Sequence, residues 1–187
     1  MPATAFSDGE RKRILDYARR AVAHAVRERV PDPGPPADGP FAPPAAAFVT
    51  LRLRRDGELR GCIGHLLAER PLGETLASVA LAAALEDPRF PPVAPEELEG
   101  ISVEVSVLGA FVPSQDPLRD LRVGVHGLRI RQGGQAGLLL PQVAGELGLD
   151  GPGFLEAVCR KAGIPPGSWR DPGARVELFT AEVIGPD

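Results

Sequence analysis

Phe48-Val49-Thr50-Leu51-Arg52-Leu53-Arg54-Arg55-Asp56-Gly57-Glu58-Leu59-Arg60-Gly61-Cys62-Ile63 reads as a β-hairpin. Apolar and polar residues alternate on both sides of Asp56-Gly57, the pattern of two half-buried strands joined by a tight turn. The turn decides which way Cys62 points. A two-residue turn at Asp56-Gly57 puts Leu51 and Leu53 on the same face as Arg60 and Cys62, mixing apolar with polar. A three-residue loop of Arg55, Asp56 and Gly57, with Gly57 left-handed, pairs Arg54 with Glu58 and Leu53 with Leu59 instead. That register is the coherent one. It gathers Val49, Leu51, Leu53, Leu59 and Ile63 on one face, and Thr50, Arg52, Arg60 and Cys62 on the other.

The second arm ends in Leu59-Arg60-Gly61-Cys62-Ile63-Gly64, which sets one of only two cysteines between two glycines. Glycine in a strand gives up packing and backbone entropy, so it marks a bend, a bulge or a place where something approaches closely. Beyond the hairpin, Leu128-Arg129-Ile130-Arg131-Gln132-Gly133-Gly134-Gln135 repeats the alternation of residues 51–58, displaced by 77 positions. Helical material follows each copy: Pro71 to Glu86 after the first, Pro141 to Leu147 and Phe154 to Ala162 after the second. This reads as an internal duplication of hairpin plus helices.

The flanking segments are simpler. Ser7 as N-cap with Glu10 three residues on forms a capping box, and Ile14, Leu15, Ala18, Ala21, Val22, Ala25 and Val26 recur at helical spacing. Seven prolines between Pro31 and Pro44 exclude helix and central strand and predict an extended connector. Ile101 to Val107 alternates strictly, with Ser102, Glu104 and Ser106 facing away from the core. Arg175 to Ile184 is a final strand. The helix at Phe154 to Ala162 puts Cys159 on its apolar face, where an unpaired thiol behaves as a small hydrophobe.

Several blocks in order carry a family resemblance: Phe48-Val49-Thr50-Leu51, LRGCIG at 59–64, Glu86-Asp87-Pro88-Arg89-Phe90-Pro91-Pro92, Glu104-Val105-Ser106-Val107-Leu108, Gly124-Val125-His126-Gly127-Leu128, Leu139-Leu140-Pro141-Gln142-Val143, Lys161-Ala162-Gly163 and Trp169-Arg170-Asp171. Together they resemble the AMMECR-domain family, called protein A of the AmmeMemoRadiSam system in prokaryotes. The resemblance runs from about Phe48 to Val183 and departs at Leu149, where many relatives carry tryptophan. It implies an α+β fold: two hairpin-plus-helices repeats around a single curved, barrel-like, mostly antiparallel sheet, with flanking helices. On that reading residues 1–187 are one AMMECR-like domain, with an N-terminal helix at 1–29, a Pro-rich connector at 30–47 and a core at 48–184. The family has no settled reaction. Its prokaryotic members are grouped with a radical S-adenosylmethionine enzyme and a Memo-like protein, which makes these the implied partners.

Composition narrows the classes. The formal net charge is -4, which does not favour wholesale binding to phosphate backbones, so any nucleic-acid role is local. Only Lys12 and Lys161 among 21 basic residues are lysines; with the abundant Ala, Gly and Pro this points to a GC-rich genome and weakens any inference from arginine alone. No apolar run suits a signal peptide or a membrane span, and two cysteines without paired spacing point to a reducing cytoplasm. No metal-ligand spacing, phosphate loop or dinucleotide fingerprint occurs, so no metal or cofactor is expected of this chain itself.

Candidate chemistry centres on Cys62. Arg60, two residues away on the same expected strand face at roughly 7 Å, and Arg52 across the pair would favour a thiolate. Of three histidines, His24 lies on the N-terminal helix and His65 follows the motif, while His126 opens the second hairpin. A Cys62–His126 pair with Glu104 as orienting carboxylate is the sharp catalytic expectation. Gly61 and Gly64 would admit a ligand, Arg60 and Arg89 would hold an anionic group beside Asp87, and Gln142 sits at a helix start suited to anions. The first reading is a small cytoplasmic enzyme or enzyme component with a reactive Cys62. The alternative is a non-catalytic module whose sheet face, bearing Arg52, Arg54, Arg129 and Arg131, docks an anionic small molecule, RNA or a protein.

Overall fold

The structure, a computed structural model, describes residues 6–185. The described residues divide into two compact units, residues 6–108 with 182–185 and residues 109–181.

The first unit opens with helix α1 (Asp8–Glu28), capped as its sequence requires. The Ser7 hydroxyl accepts from the Glu10 amide, and the Glu10 side chain accepts from the Ser7 amide. Strands β1 (Ala46–Leu53), β2 (Leu59–His65) and β3 (Ile101–Leu108) form its sheet, antiparallel in the order β2-β1-β3, so β2 is the outer strand. Helix α2 (Leu72–Leu85) follows β2. The core lies between α1, α2 and one sheet face, where Ile14, Val22, Leu76 and Val79 meet Val49, Leu51, Val103 and Val105. The proline-rich connector is extended with one 3-10 turn at Gly39–Phe41, which buries Phe41 edge-on against Tyr17, ring centres 5.5 Å apart.

The first hairpin departs from its expected register near the turn and regains it further on. The Leu53 amide donates to the Glu58 carbonyl and the Gly57 amide to the Leu53 carbonyl, so the loop holds four residues, Arg54 to Gly57, rather than three. Gly57 does take the left-handed conformation, at φ 76°. The extra loop residue moves Leu59 opposite Arg52. A bulge at Arg60 then absorbs the shift, and Leu51↔Gly61, Thr50↔Cys62 and Val49↔Ile63 pair as the sequence predicts.

In the second unit the strands are β4 (Val112–Ser114), β5 (His126–Gln132), β6 (Gln135–Leu139) and β7 (Arg175–Ile184), whose last residues belong to the first unit. Here β7 pairs antiparallel with β4 and β5, and β5 with β6 through a two-residue Gly133-Gly134 turn with both φ values positive. Helices α3 (Pro117–Asp120), α4 (Pro141–Glu146) and α5 (Gly151–Lys161) complete it. Phe154, Leu155, Val158 and Cys159 of α5 pack on Leu128, Ile130, Val176 and Leu178, so Cys159 is core, as its helical position predicts. Among the described residues no helix is long and apolar enough to cross a membrane.

Candidate functional site

Cys62 lies in β2, half-buried, and its thiol, backbone amide and carbonyl each have a partner. Thr50, opposite it on β1, donates its hydroxyl to Cys62 Sγ at 3.3 Å. The Cys62 amide donates to Asp87 Oδ2 at 2.8 Å, and Arg89 Nη2 donates to the Cys62 carbonyl at 3.2 Å. Because β2 is the outer strand, those of its peptide groups that point away from β1 have no strand partner, an arrangement that invites a foreign strand. The segment after α2 closes that edge: Asp87 and Arg89 engage Cys62, and Arg60 Nη1 donates to the Pro91 carbonyl at 2.9 Å.

Asp87 is the hub. Its carboxylate, 4 % exposed, accepts from the Cys62 amide, the Arg89 amide and two nitrogens of the Arg89 guanidinium. The Arg89 guanidinium, with the two amides assisting against the opposing effect of burial, holds the Asp87 carboxyl down at about 2. Arg89 itself stays half-exposed, its guanidinium reaching past the carboxylate toward Cys62.

Arg60 does something different from its expected role. The bulge takes it out of the alternation that would set it beside Cys62. Its guanidinium, nearly buried, forks onto both oxygens of Glu97 at 2.9 Å each. That pairing lowers the Glu97 pKa. The guanidinium beside Cys62 is therefore that of Arg89.

The two glycines of the hexapeptide are explained by the protein's own packing. A Cβ on Gly61 would run into the backbone carbonyl of Ala83 in α2, and one on Gly64 would enter the ring of Phe48, its partner on β1. What approaches closely is a helix and an aromatic ring. The same device recurs in the second unit, where the ring of Phe179 lies over Gly127, its partner on β5.

Glu104 joins the row of Cys62. The register runs Cys62↔Thr50↔Glu104 across β2, β1 and β3, which at the usual strand spacing sets Cys62 and Glu104 about 10 Å apart with Thr50 between them. Two residues along β3 on the same face, Ser106 is 1 % exposed and its hydroxyl has no partner among the described residues. His126 belongs to the second unit, where its Nδ1 accepts the Arg122 amide at 3.1 Å. A neutral imidazole bound in that way carries its proton on Nε2, so it offers a donor there and not a base. Gln142 is at the second position of α4, its side-chain oxygen buried and without a partner among the described residues.

The arginine face expected of the binding alternative is largely engaged. Arg129 forks onto Glu177 at 2.7 and 2.9 Å, and its guanidinium stacks 3.7 Å from the centre of the Phe111 ring. Arg131 shares Glu177 at 3.3 Å, and Arg52 donates to the Gly57 carbonyl. Of the residues around Cys62, the sequence reading overlooked Thr50 as the sulfur's partner, although the hairpin register had set both on one face. It also placed the nearby guanidinium on Arg60 because a bulge leaves no periodic trace.

Fold and site together define an α+β protein of antiparallel strands in which the backbone of Cys62 is held by an ion-paired aspartate and arginine on a closed strand edge. The chain belongs to the AMMECR1 family, whose model matches residues 15–184. It is 45 % identical over 181 residues to a protein of Thermococcus gammatolerans, covering 91 % of this chain and 87 % of that one. To a protein of Methanothermobacter thermautotrophicus it is 43 % identical over 190 residues, covering 97 % and 96 %. The crystal structure of an uncharacterised protein from Pyrococcus horikoshii has the same fold, with a TM-score of 0.88 at 37 % identity over 95 % of this chain and 92 % of that one.

Proposed function

We propose that this protein is a small enzyme or enzyme component in which the Cys62 sulfur is the reacting group. The observation that carries the reading is the Thr50 hydroxyl donating to Cys62 Sγ, with the half-exposed Arg89 guanidinium held on the carbonyl of the same residue. The nucleophile of this proposal is the Cys62 sulfur, and the Thr50 hydroxyl orients it on the sheet face. Glu104, next in the row beyond Thr50 and about 10 Å from Cys62, would move a proton on that face only through an intervening water or substrate group. In this proposal Arg89 takes the anionic end of the substrate, and His126 has no part as a base. The partners implied by the family resemblance, a radical S-adenosylmethionine enzyme and a Memo-like protein, would supply or receive that substrate.

Thiol labelling of the folded protein tests the reading. Cys159 is fully buried and burial pushes its thiol pKa up, so it supplies an inert internal reference. Cys62 should be alkylated at pH 7 at least about tenfold faster than Cys159, and Thr50→Val should change its rate several-fold, since a hydrogen bond is worth about 0.5–1.5 kcal/mol. Equal inertness of both thiols ends the proposal. The same experiment bears on the binding-module alternative, under which Cys62→Ser keeps ligand affinity while changes at the sheet-face arginines abolish it.

A packing role for Cys62 makes a contrary prediction. Cys62→Ala should cost less than about 1.5 kcal/mol in chemical denaturation, because removing one sulfur leaves only a small cavity. A loss several times larger would mean that the thiol is there to fill space.

A further inference from the structure

The second unit contains a hollow of about 660 Å³, a volume in the range of small-molecule sites, walled by β4, the start of β7 and the segment around Trp169. Two arginines line it in an arrangement the fold alone does not favour. Arg131 on β5 and Arg175 on β7 are direct partners in the antiparallel register, so their side chains leave the sheet on the same face, opposite each other. Like charges in that position destabilise a strand pair.

The carboxylates in the wall are already engaged. Glu177 is forked by Arg129 and shared with Arg131, Asp171 accepts from Gln132 Nε2 at 3.0 Å, and Asp116 caps α3 by accepting the Arg119 amide. The Arg175 side chain makes no hydrogen bond or ion pair among the described residues, and that of Arg131 makes one, at 3.3 Å. Arg170 adds a third guanidinium, stacked 3.8 Å from the Trp169 ring and 3.5 Å from Glu156.

From this we infer that the hollow binds a phosphate-bearing small molecule, with the phosphate between Arg131 and Arg175. One guanidinium fork already matches a whole carboxylate, as Arg129 does with Glu177. Two facing forks match a group with three terminal oxygens and about two negative charges. The rest of the ligand would lie against Pro113, Pro117, Pro172 and Val176, which give the hollow its apolar wall. The site is independent of Cys62.

Trp169, the only tryptophan of the chain, lines the hollow and reports on it directly. Pyrophosphate should be titrated against the full chain at low salt, following Trp169 emission, with calorimetry in parallel so that a silent fluorophore cannot hide binding. Sodium chloride at matched ionic strength and succinate serve as comparisons. The expected result is saturable pyrophosphate binding, weakened at least about tenfold by Arg175→Ala and by Arg131→Ala and unchanged by Arg160→Ala, an exposed position on α5 outside the hollow. Three results would each overturn the inference: a response that tracks ionic strength as sodium chloride does, equal affinity in Arg175→Ala, or saturation by succinate without saturation by pyrophosphate.

Discussion

Gly61→Ala is expected to destabilise the protein by about 3 kcal/mol or more, at the upper end of what overpacking costs. The added methyl group would point at the Ala83 carbonyl oxygen, a backbone atom held in the hydrogen-bonded frame of α2. A flexible side chain could swing aside; a helix backbone cannot. Relief requires α2 to lift from the sheet, which opens the core contacts of Leu76, Val79 and Ala80 with it. Gly57→Ala is the informative comparison. It has open space around its Cβ direction but a φ of 76°, so it should lose only about 1 kcal/mol through backbone conformation. Urea denaturation of the two variants separates the mechanisms: comparable losses would show that α2 yields more readily than its packing implies.

Asp87→Asn should cost about 2–4 kcal/mol at neutral pH, and its effect should vanish in acid. The amide retains one acceptor oxygen for four donor groups and turns an NH2 toward the Arg89 guanidinium, leaving a buried set of bonds half made. The half-exposure of Arg89 keeps the figure below that of a fully buried broken pair. The pH dependence follows from linkage. In the folded chain the Asp87 carboxyl titrates at about 2, against about 3.9 when unfolded. The unfolded state therefore takes up the proton first as pH falls. The contribution of Asp87 is complete above about pH 4 and is lost between about pH 4 and pH 2, amounting to roughly 2.5 kcal/mol at most. Glu97 and Asp32 are lowered as well and add to acid sensitivity, so the difference between wild type and Asp87→Asn isolates the one carboxylate. A difference in stability that stays constant from pH 7 to pH 2.5 would refute this account.

What could be read from the chain alone, and what could not, divides along physical lines. Strict alternation gave β3 its buried Ile101, Val103, Val105 and Val107, and a complete capping box located the start of α1. Those are local signals, written in residues a few positions apart. The register of the first hairpin was half legible. Its far end was constrained by which face must be apolar, whereas the four-residue loop and the bulge at Arg60 cancel each other and leave the overall pattern unchanged. Arg60 was therefore set beside Cys62 when it belongs with Glu97, a partner 37 residues away on a loop whose path no periodicity encodes. Asp87 and Arg89 were marked out as residues near the site, but their closure of the strand edge depends on where α2 delivers the chain. Glycines 61 and 64 correctly signalled close approach; that the visitor is Ala83 of α2 and the ring of Phe48 required three dimensions.

The seal on β2 also has a timetable. Cys62 leaves the ribosome 25 residues ahead of Asp87, the carboxylate that takes up its amide. At ordinary synthesis rates of about 5–20 residues per second, that gap lasts on the order of one to five seconds. During it the outer edge of β2 is without that partner, and a strand edge in that condition can pair with neighbouring chains. Variants at Asp87 that lose the acceptor for the Cys62 amide would leave that part of the edge open in the folded chain as well, so poor yield and inclusion bodies during expression would be an early sign of their defect.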